Sequence, residues 1–342
     1  MTTVDPVEGL LDMATQMPLS EMTVVDISQQ LPGPYCTALL ASLGARVIKV
    51  EPPIGDPARS IDPAMFAMVN DGKEFVRLDL KAAGDVERLH RLVAEADVFV
   101  EGFRPGVAAR LGAGVDTLAA LKAALVYCSI SGTGQSGPLA GVPVHDLNLQ
   151  GLAGIRGTEV GIGIPWVDLG TASMAALAIV ASWGKALVTG RGCFIDAAML
   201  DTSVLWGRVK EEAHDREEPT YGRFATSDGL EVTVAVLEDH IWRRLCLAFG
   251  WQDWVDHGDL ATYAERVVRA SEIRSRLAEA CLCRSRDELV DLAVEYDLPM
   301  TPSGASIGSA AEKHLLLRAL GPVSGRSVPA PLMSSLPSEG RS

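Results

Sequence analysis

Residues 23–51 read TVVDISQQLPGPYCTALLASLGARVIKVE. Thr23–Ser28 is an apolar, largely β-branched run that reads as a buried strand, and Leu31-Pro-Gly-Pro34 stops it. Tyr35–Leu43 follows as a helix, with Pro34 near its first turn, where a missing N–H costs nothing, and Gly44 just past its end. Ala45–Glu51 is apolar again. Strand, helix and strand in so short a span make a βαβ unit, and its crossover implies a parallel sheet.

Such an opening raises the question of a dinucleotide. The turn after the first strand is Gln30-Leu-Pro-Gly-Pro34 and not Gly-x-Gly-x-x-Gly, so the close approach of backbone to a pyrophosphate is missing. Glu51 ends the second strand, where an acid can meet a ribose, but acids at strand ends are common.

The alternation continues. Glu74–Leu80 reads as a strand, Asp85–Ala96 as a helix, Asp97–Phe103 as a strand, Val115–Ala124 as helical and Leu125–Ile130 as a strand. Lys210–Pro219 (KEEAHDREEP) is charged and linker-like. Beyond it, Glu231–Val236 reads as a strand and His240–Phe249, Tyr263–Leu282 and Arg286–Tyr296 as helices. The fold class is therefore α/β. A Rossmann-like domain with a parallel sheet spans 23–209, after an extension over 1–22. A linker over 210–222 leads to a small α/β domain over 223–320. A tail over 321–342, rich in Pro, Ser and Gly, ends the chain.

Bulk properties narrow the function. A chain of 342 residues suggests two domains, and 48% apolar with 22% charged residues is an ordinary balance for a soluble enzyme. A net charge of −14 argues against nucleic acid or an anionic membrane surface as partner. An anionic ligand would need a local cluster of cations or backbone N–H groups. The six cysteines are scattered without a Cys-x-x-Cys pair, as expected of reduced thiols in the cytoplasm. The first 22 residues contain no Lys or Arg, so no signal or transit peptide is expected. Leu169–Gly184 is too short an apolar run to span a bilayer and reads as a buried helix.

Three places set ionisable groups among apolar ones: His145-Asp146 in PVHDLNLQGLAG, Asp168 in PWVDLG, and Glu238 in VAVLED. Burying such groups unpaired is costly. Each has a plain structural explanation. His145 can be a core histidine on a carbonyl, Asp168 a helix cap, and Glu238 a first-turn carboxylate. Each also has a chemical one. A helix N-terminus would hold Asp168 ionised, as base or nucleophile, and a neutral His145 opposite would complete an acid/base pair. No metal-ligand spacing, Gly-x-Ser-x-Gly elbow or Walker loop is present.

Several segments together resemble the class III CoA-transferase family, which includes α-methylacyl-CoA racemase. They are Val25–Pro53, Gly72–Lys81 (GKEFVRLDLK), Ala96–Gly112 (ADVFVEGFRPGVAARLG), Tyr127–Pro138, His145–Asn148, Gly190–Asp201 and Tyr221–Gly229. Leu298–Pro302 and Pro329–Leu332 continue the match, which is collinear over roughly residues 20–332. The resemblance implies a large Rossmann-like domain, a small α/β domain, and two chains interlocked as a homodimer. It implies CoA as part of a thioester substrate, bound without a dinucleotide fingerprint, and no other cofactor. Leu78, Asp79, Leu80 and Lys81, with Arg104, are the implied CoA contacts on one side. Val144, Asp146, Leu147, Asn148 and Leu149 are the implied contacts around His145. Lys81 and Arg104 follow strand ends and suit phosphates. The family pattern is altered at Pro52, where racemases carry Arg, at Asn70-Asp-Gly-Lys73, and at Asp215–Pro219.

The reaction implied first is racemisation at the α-carbon of an acyl-CoA. His145 and Asp168 would be bases on opposite faces, Glu238 would support His145, and helix-start N–H groups would hold the enolate oxygen. The alternative is CoA transfer between carboxylic acids through an anhydride and a thioester at Asp168, with His145 incidental. A third reading is a non-catalytic partner subunit.

Overall fold

The computed structural model describes residues 17–154, 164–209, 217–255 and 258–303. They belong to two compact units, which meet along the chain between Glu211 and Glu212.

In the first unit β1 (Thr23–Asp26) leads through α1 (Pro32–Ser42) to β2 (Arg46–Glu51). Two short helices, α2 (Ala58–Ile61) and α3 (Pro63–Asn70), precede β3 (Glu74–Arg77). Then come α4 (Ala83–Glu95), β4 (Val98–Glu101), α5 (Val107–Arg110), α6 (Val115–Leu121) and β5 (Val126–Ser131). Helices α7 (Asp146–Leu152) and α8 (Trp166–Thr189), strand β6 (Cys193–Ala198) and helix α9 (Met199–Arg208) complete it. All six strands run parallel in the order β3-β2-β1-β4-β5-β6. The winding reverses between β1 and β4, the switch point at which such sheets open a crevice beyond their carboxyl ends.

Both faces of the sheet are covered, as a parallel sheet requires. Val24, Val47, Val98 and Cys128 pack in the core beneath α1 and α8. Their neighbours Val25, Ile48, Phe99 and Tyr127 pack on the other face with Leu89 and Val93 of α4 and Leu118 of α6. The Pro-Gly-Pro turn has a steric reason: a Cβ on Gly33 would stand 2.2 Å from Ser28 Oγ. Asp26, at the end of β1, accepts the Ser28 N–H at 2.9 Å and the Thr37 hydroxyl at 2.6 Å. This bond turns Ser28 out of the ladder, so β1 ends two residues earlier than the sequence suggests.

In the Asn70–Lys73 turn the two end residues are buried, and Asp71 and Gly72 are exposed. Lys73 Nζ, fully buried, sits 3.4 Å from Asp26 and donates to Pro34 O and Asn70 Oδ1 at 2.8 and 3.0 Å. Burial pulls its ammonium down to about 8, against the opposing pull of Asp26. Nearby, Lys49 Nζ pairs with Asp56 at 3.3 Å, both side chains fully buried.

Helix α8 has 24 residues, more than the expected Leu169–Gly184, and by length and composition is apolar enough to cross a membrane. One of its faces (Ala172, Ala175, Ala176, Ile179) belongs to the sheet's core. Leu177 and Val188 on the helix are exposed. Strand β6 was not anticipated: Cys193 and Phe194 are exposed, so it lacks the continuous apolar signature of its neighbours.

The second unit holds β7 (Tyr221–Ala225), β8 (Glu231–Ala235) and β9 (Met300–Ser303), an antiparallel sheet in that order. Helices α10 (Asp239–Ala248), α11 (Gln252–Val255), α12 (Tyr263–Val268), α13 (Ala270–Leu282) and α14 (Arg286–Tyr296) surround a core that includes Val232, Val234, Trp242, Leu245 and Leu277. The expected linker over 210–222 runs too far, because Tyr221 and Gly222 already pair with Ala235 and Val234. The expected single helix over Tyr263–Leu282 is two helices, broken at Arg269. Residues 1–16 of the extension, 210–216 of the linker and everything from 304 onward lie outside the described residues.

Candidate active site

Loops leaving the carboxyl ends of β1, β4 and β5 meet at one cleft of about 360 Å³. Its walls come from Gln29–Pro32, Gly102–Pro105, Ile130–Gly134 and Gly141–His145, together with Asp168 and Met199. A narrower slot of about 150 Å³ opens over β1, β2 and β3, lined among others by Val50–Pro52 and Leu78–Lys81. Gln29 and Phe103 line both, so cleft and slot adjoin. Arg104, Val144, His145 and Asp168 thus share the cleft, and Leu78, Asp79, Leu80 and Lys81 share the slot. Asp146, Leu147, Asn148 and Leu149 line neither.

His145 stands just before α7, its side chain exposed. Asn148 Oδ1 accepts the His145 N–H at 3.0 Å, so Asn148 serves as a local cap. Leu149 is fully buried against Val167 and Met199 and anchors α7 to α8. The segment before His145 is placed by a close contact: a Cβ on Gly132 would lie 2.3 Å from Val144 Cγ2.

Asp168 lies in the first turn of α8, and here the structure corrects the sequence reading. The N–H groups of Val167 and Asp168 donate to Asp146 Oδ2 at 2.8 and 3.0 Å. Those of Trp166 and Leu169 go to the carbonyls of Ile164 and Pro165. Every donor from Trp166 to Leu169 therefore has a partner other than the Asp168 carboxyl. The helix head does not hold Asp168 ionised, nor does it leave an N–H for an enolate oxygen. Burial, and after it the Asp146 charge, pushes the Asp168 carboxyl up to about 7. Half-buried and facing the cleft, it accepts no hydrogen bond from the described residues. Asp146 is itself buried, and its Oδ1 accepts from Gln150 Nε2.

Ser131, in the cleft lining, and Glu101, just outside it, escaped the sequence reading. Ser131 Oγ is buried and without a partner among the described residues. Glu101 is buried at the end of β4; burial raises its carboxyl, and hydrogen bonds from the Ser129 side chain and then from the Phe103 N–H, at 2.7 Å, partly offset this. The Phe103 N–H bond shapes the turn carrying Arg104, which is exposed. The available signal was position: each of these residues ends a parallel strand or follows one. Glu51, considered for a ribose, is bound to Arg59 at 3.0 Å and nearly inaccessible. Glu238 lies in the second unit, exposed between β8 and α10, where its carbonyl accepts from Ile241 and Trp242 at 3.1 and 2.9 Å. Its side chain makes no capping bond.

A parallel sheet with a ligand-sized cleft at its switch point, into which Asp168 faces, is the arrangement in which doubly wound α/β proteins bind their ligands. Comparison with known sequences gives the family. The chain belongs to CoA-transferase family III, whose sequence profile matches residues 19–320. Among its relatives is the succinyl-CoA:mesaconate CoA-transferase of Haloarcula hispanica, 33% identical over 83% of this chain and 80% of that one. The succinyl-CoA:glutarate CoA-transferase of Homo sapiens is 31% identical over 78% and 67%. Among solved structures, a hypothetical protein from Mycobacterium tuberculosis superposes with a TM-score of 0.79 at 28% identity, over 87% of this chain and 88% of that one. A CAIB/BAIF family protein from Brucella suis gives 0.72 at 29%, over 84% of each.

Proposed function

We propose that this protein transfers CoA between carboxylic acids, with Asp168 as the nucleophile. The observation that carries the reading is the Asp168 carboxyl itself: it faces the cleft, and none of the described residues donates to its oxygens. A carboxylate so placed is free to attack a thioester carbonyl. Attack on the donor acyl-CoA expels the CoA thiolate and forms a mixed anhydride. The thiolate then attacks the Asp168 carbonyl, releasing the donor acid and leaving an aspartyl thioester. The acceptor carboxylate attacks this thioester, and the thiolate finally takes the new acyl group, restoring Asp168. The CoA chain would run from the slot, past Lys81, into the cleft beside Arg104. Ser131 Oγ is a donor within the same cleft.

The relatives described above act on succinyl-CoA with mesaconate or glutarate as partner acid, which favours dicarboxylic acids here. Racemisation, the reading placed first from sequence, draws no support from those relatives and loses its helix-head oxyanion donors. His145 remains in the cleft, so the two reactions are separated experimentally. With succinyl-CoA and glutarate or mesaconate, Asp168→Asn should abolish transfer while His145→Ala retains it. Loss of α-proton exchange in His145→Ala, with no CoA transfer by the wild type, would restore the racemase. The working unit in this proposal is a homodimer.

A further inference from the structure

We propose that Asp146 is a positioning residue for Asp168: it takes the two backbone donors at the head of α8 that would otherwise stabilise the Asp168 carboxylate, and so sets the pH range in which that carboxylate is charged. The proposal rests on Asp168 being the working carboxylate of the cleft.

The geometry gives Asp146 two roles. Its Oδ2 satisfies the Val167 and Asp168 N–H groups across 21 and 22 residues of sequence, which ties α8 to α7. A helix N-terminus offers a carboxylate its most favourable backbone site, and only one carboxylate can occupy it. Asp146 does, from a buried position, while Asp168 lines the cleft with no donor among the described residues. The two like charges also oppose each other, which further favours the neutral form of the less well solvated one. In the first unit the ionisable groups sharing the site with Asp168 are Asp146, His145 and Arg104. The outcome is a carboxylate more basic, and so more nucleophilic, than an ordinary aspartate.

Asp146→Asn separates the roles. An amide keeps one oxygen to accept from α8, and its NH₂ can meet Gln150 Oε1, which is buried without a partner among the described residues. Carboxyl-¹³C aspartate NMR, with the Asp168 resonance assigned by its loss in Asp168→Asn, needs no substrate and does not depend on the reaction catalysed. In Asp146→Asn the Asp168 resonance should titrate lower by about one pH unit, with the circular dichroism unchanged. The acid limb of kcat/KM with succinyl-CoA and glutarate should move with it. An Asp168 titration at the wild-type pH in a folded Asp146→Asn would overturn the proposal. Failure of Asp146→Asn to fold would also overturn it, since the charge would then serve the helix and not the nucleophile. If the resonance shifts but no transfer occurs, the inference stands and the transferase reading falls.

Discussion

At the residue scale Asp168 joins function to instability. Its carboxyl is raised to about 7, so the folded protein favours the neutral form. The unfolded chain loses this proton near the ordinary aspartate value, and stability therefore falls as pH rises from that value through about 7. Asp168→Asn removes the penalty. It should be more stable than wild type at pH 8 by about 1–3 kcal/mol, with the gap closing below about pH 4. The same variant should lose at least about 10³-fold in transfer, because an amide cannot take the nucleophile's place. Thermal unfolding of both proteins at several pH values, beside activity, checks this; equal stability at pH 8 would mean that the carboxyl is not strained. For wild type, kcat/KM should drop about tenfold per pH unit below about 7, because only the charged form attacks. A flat profile down to pH 5 would remove Asp168 from the rate-determining chemistry.

At the scale of elements, the Gly132–Val144 contact is the clearest target. A Cβ at 132 must displace Val144 and with it the segment carrying His145 into the cleft. Gly132→Ala should cost about 1–3 kcal/mol by overpacking and raise KM for acyl-CoA. Adding Val144→Ala should recover most of both, and a double variant no better than the single would show that the clash is absorbed elsewhere. The first βαβ unit was legible because buried parallel strands are apolar on both faces and its helix is bounded by Pro and Gly. Helix α14 was legible for a similar reason, its start marked by the Ser285 and Glu288 capping box. Strand β6 was not, since its exposed residues mask the pattern. The N-terminus of α8 misled most. From sequence Asp168 looked like the acid that a helix start would stabilise, and no local signal says that Asp146, in a different helix, takes that place. His145 and Asp168 were legible as candidates because ionisable groups stand out in apolar stretches, and the family resemblance added their roles; Ser131 and Glu101, common residue types at strand ends, were not legible.

At the scale of the whole molecule, Leu177 and Val188 of α8 and Leu205 of α9 are each at least 60% exposed, and Trp206 nearly half. Apolar surface of this kind on adjoining helices favours a partner chain. In sedimentation at micromolar concentration the protein should run as a single homodimer, and a monomer would refute that part of the account. The central claim, that Asp168 becomes covalently acylated during CoA transfer, is tested most directly by isotope. Wild type turns over succinyl-CoA with glutarate or mesaconate labelled with ¹⁸O in its carboxylates, and the peptide containing Asp168 is then weighed. Through the anhydride, one acceptor oxygen must remain on Asp168, so the account predicts a heavy-oxygen label there and none in Asp168→Asn. Transfer of CoA without label at Asp168, or α-deuterium uptake from D₂O into a 2-methylacyl-CoA with no transfer at all, would contradict it.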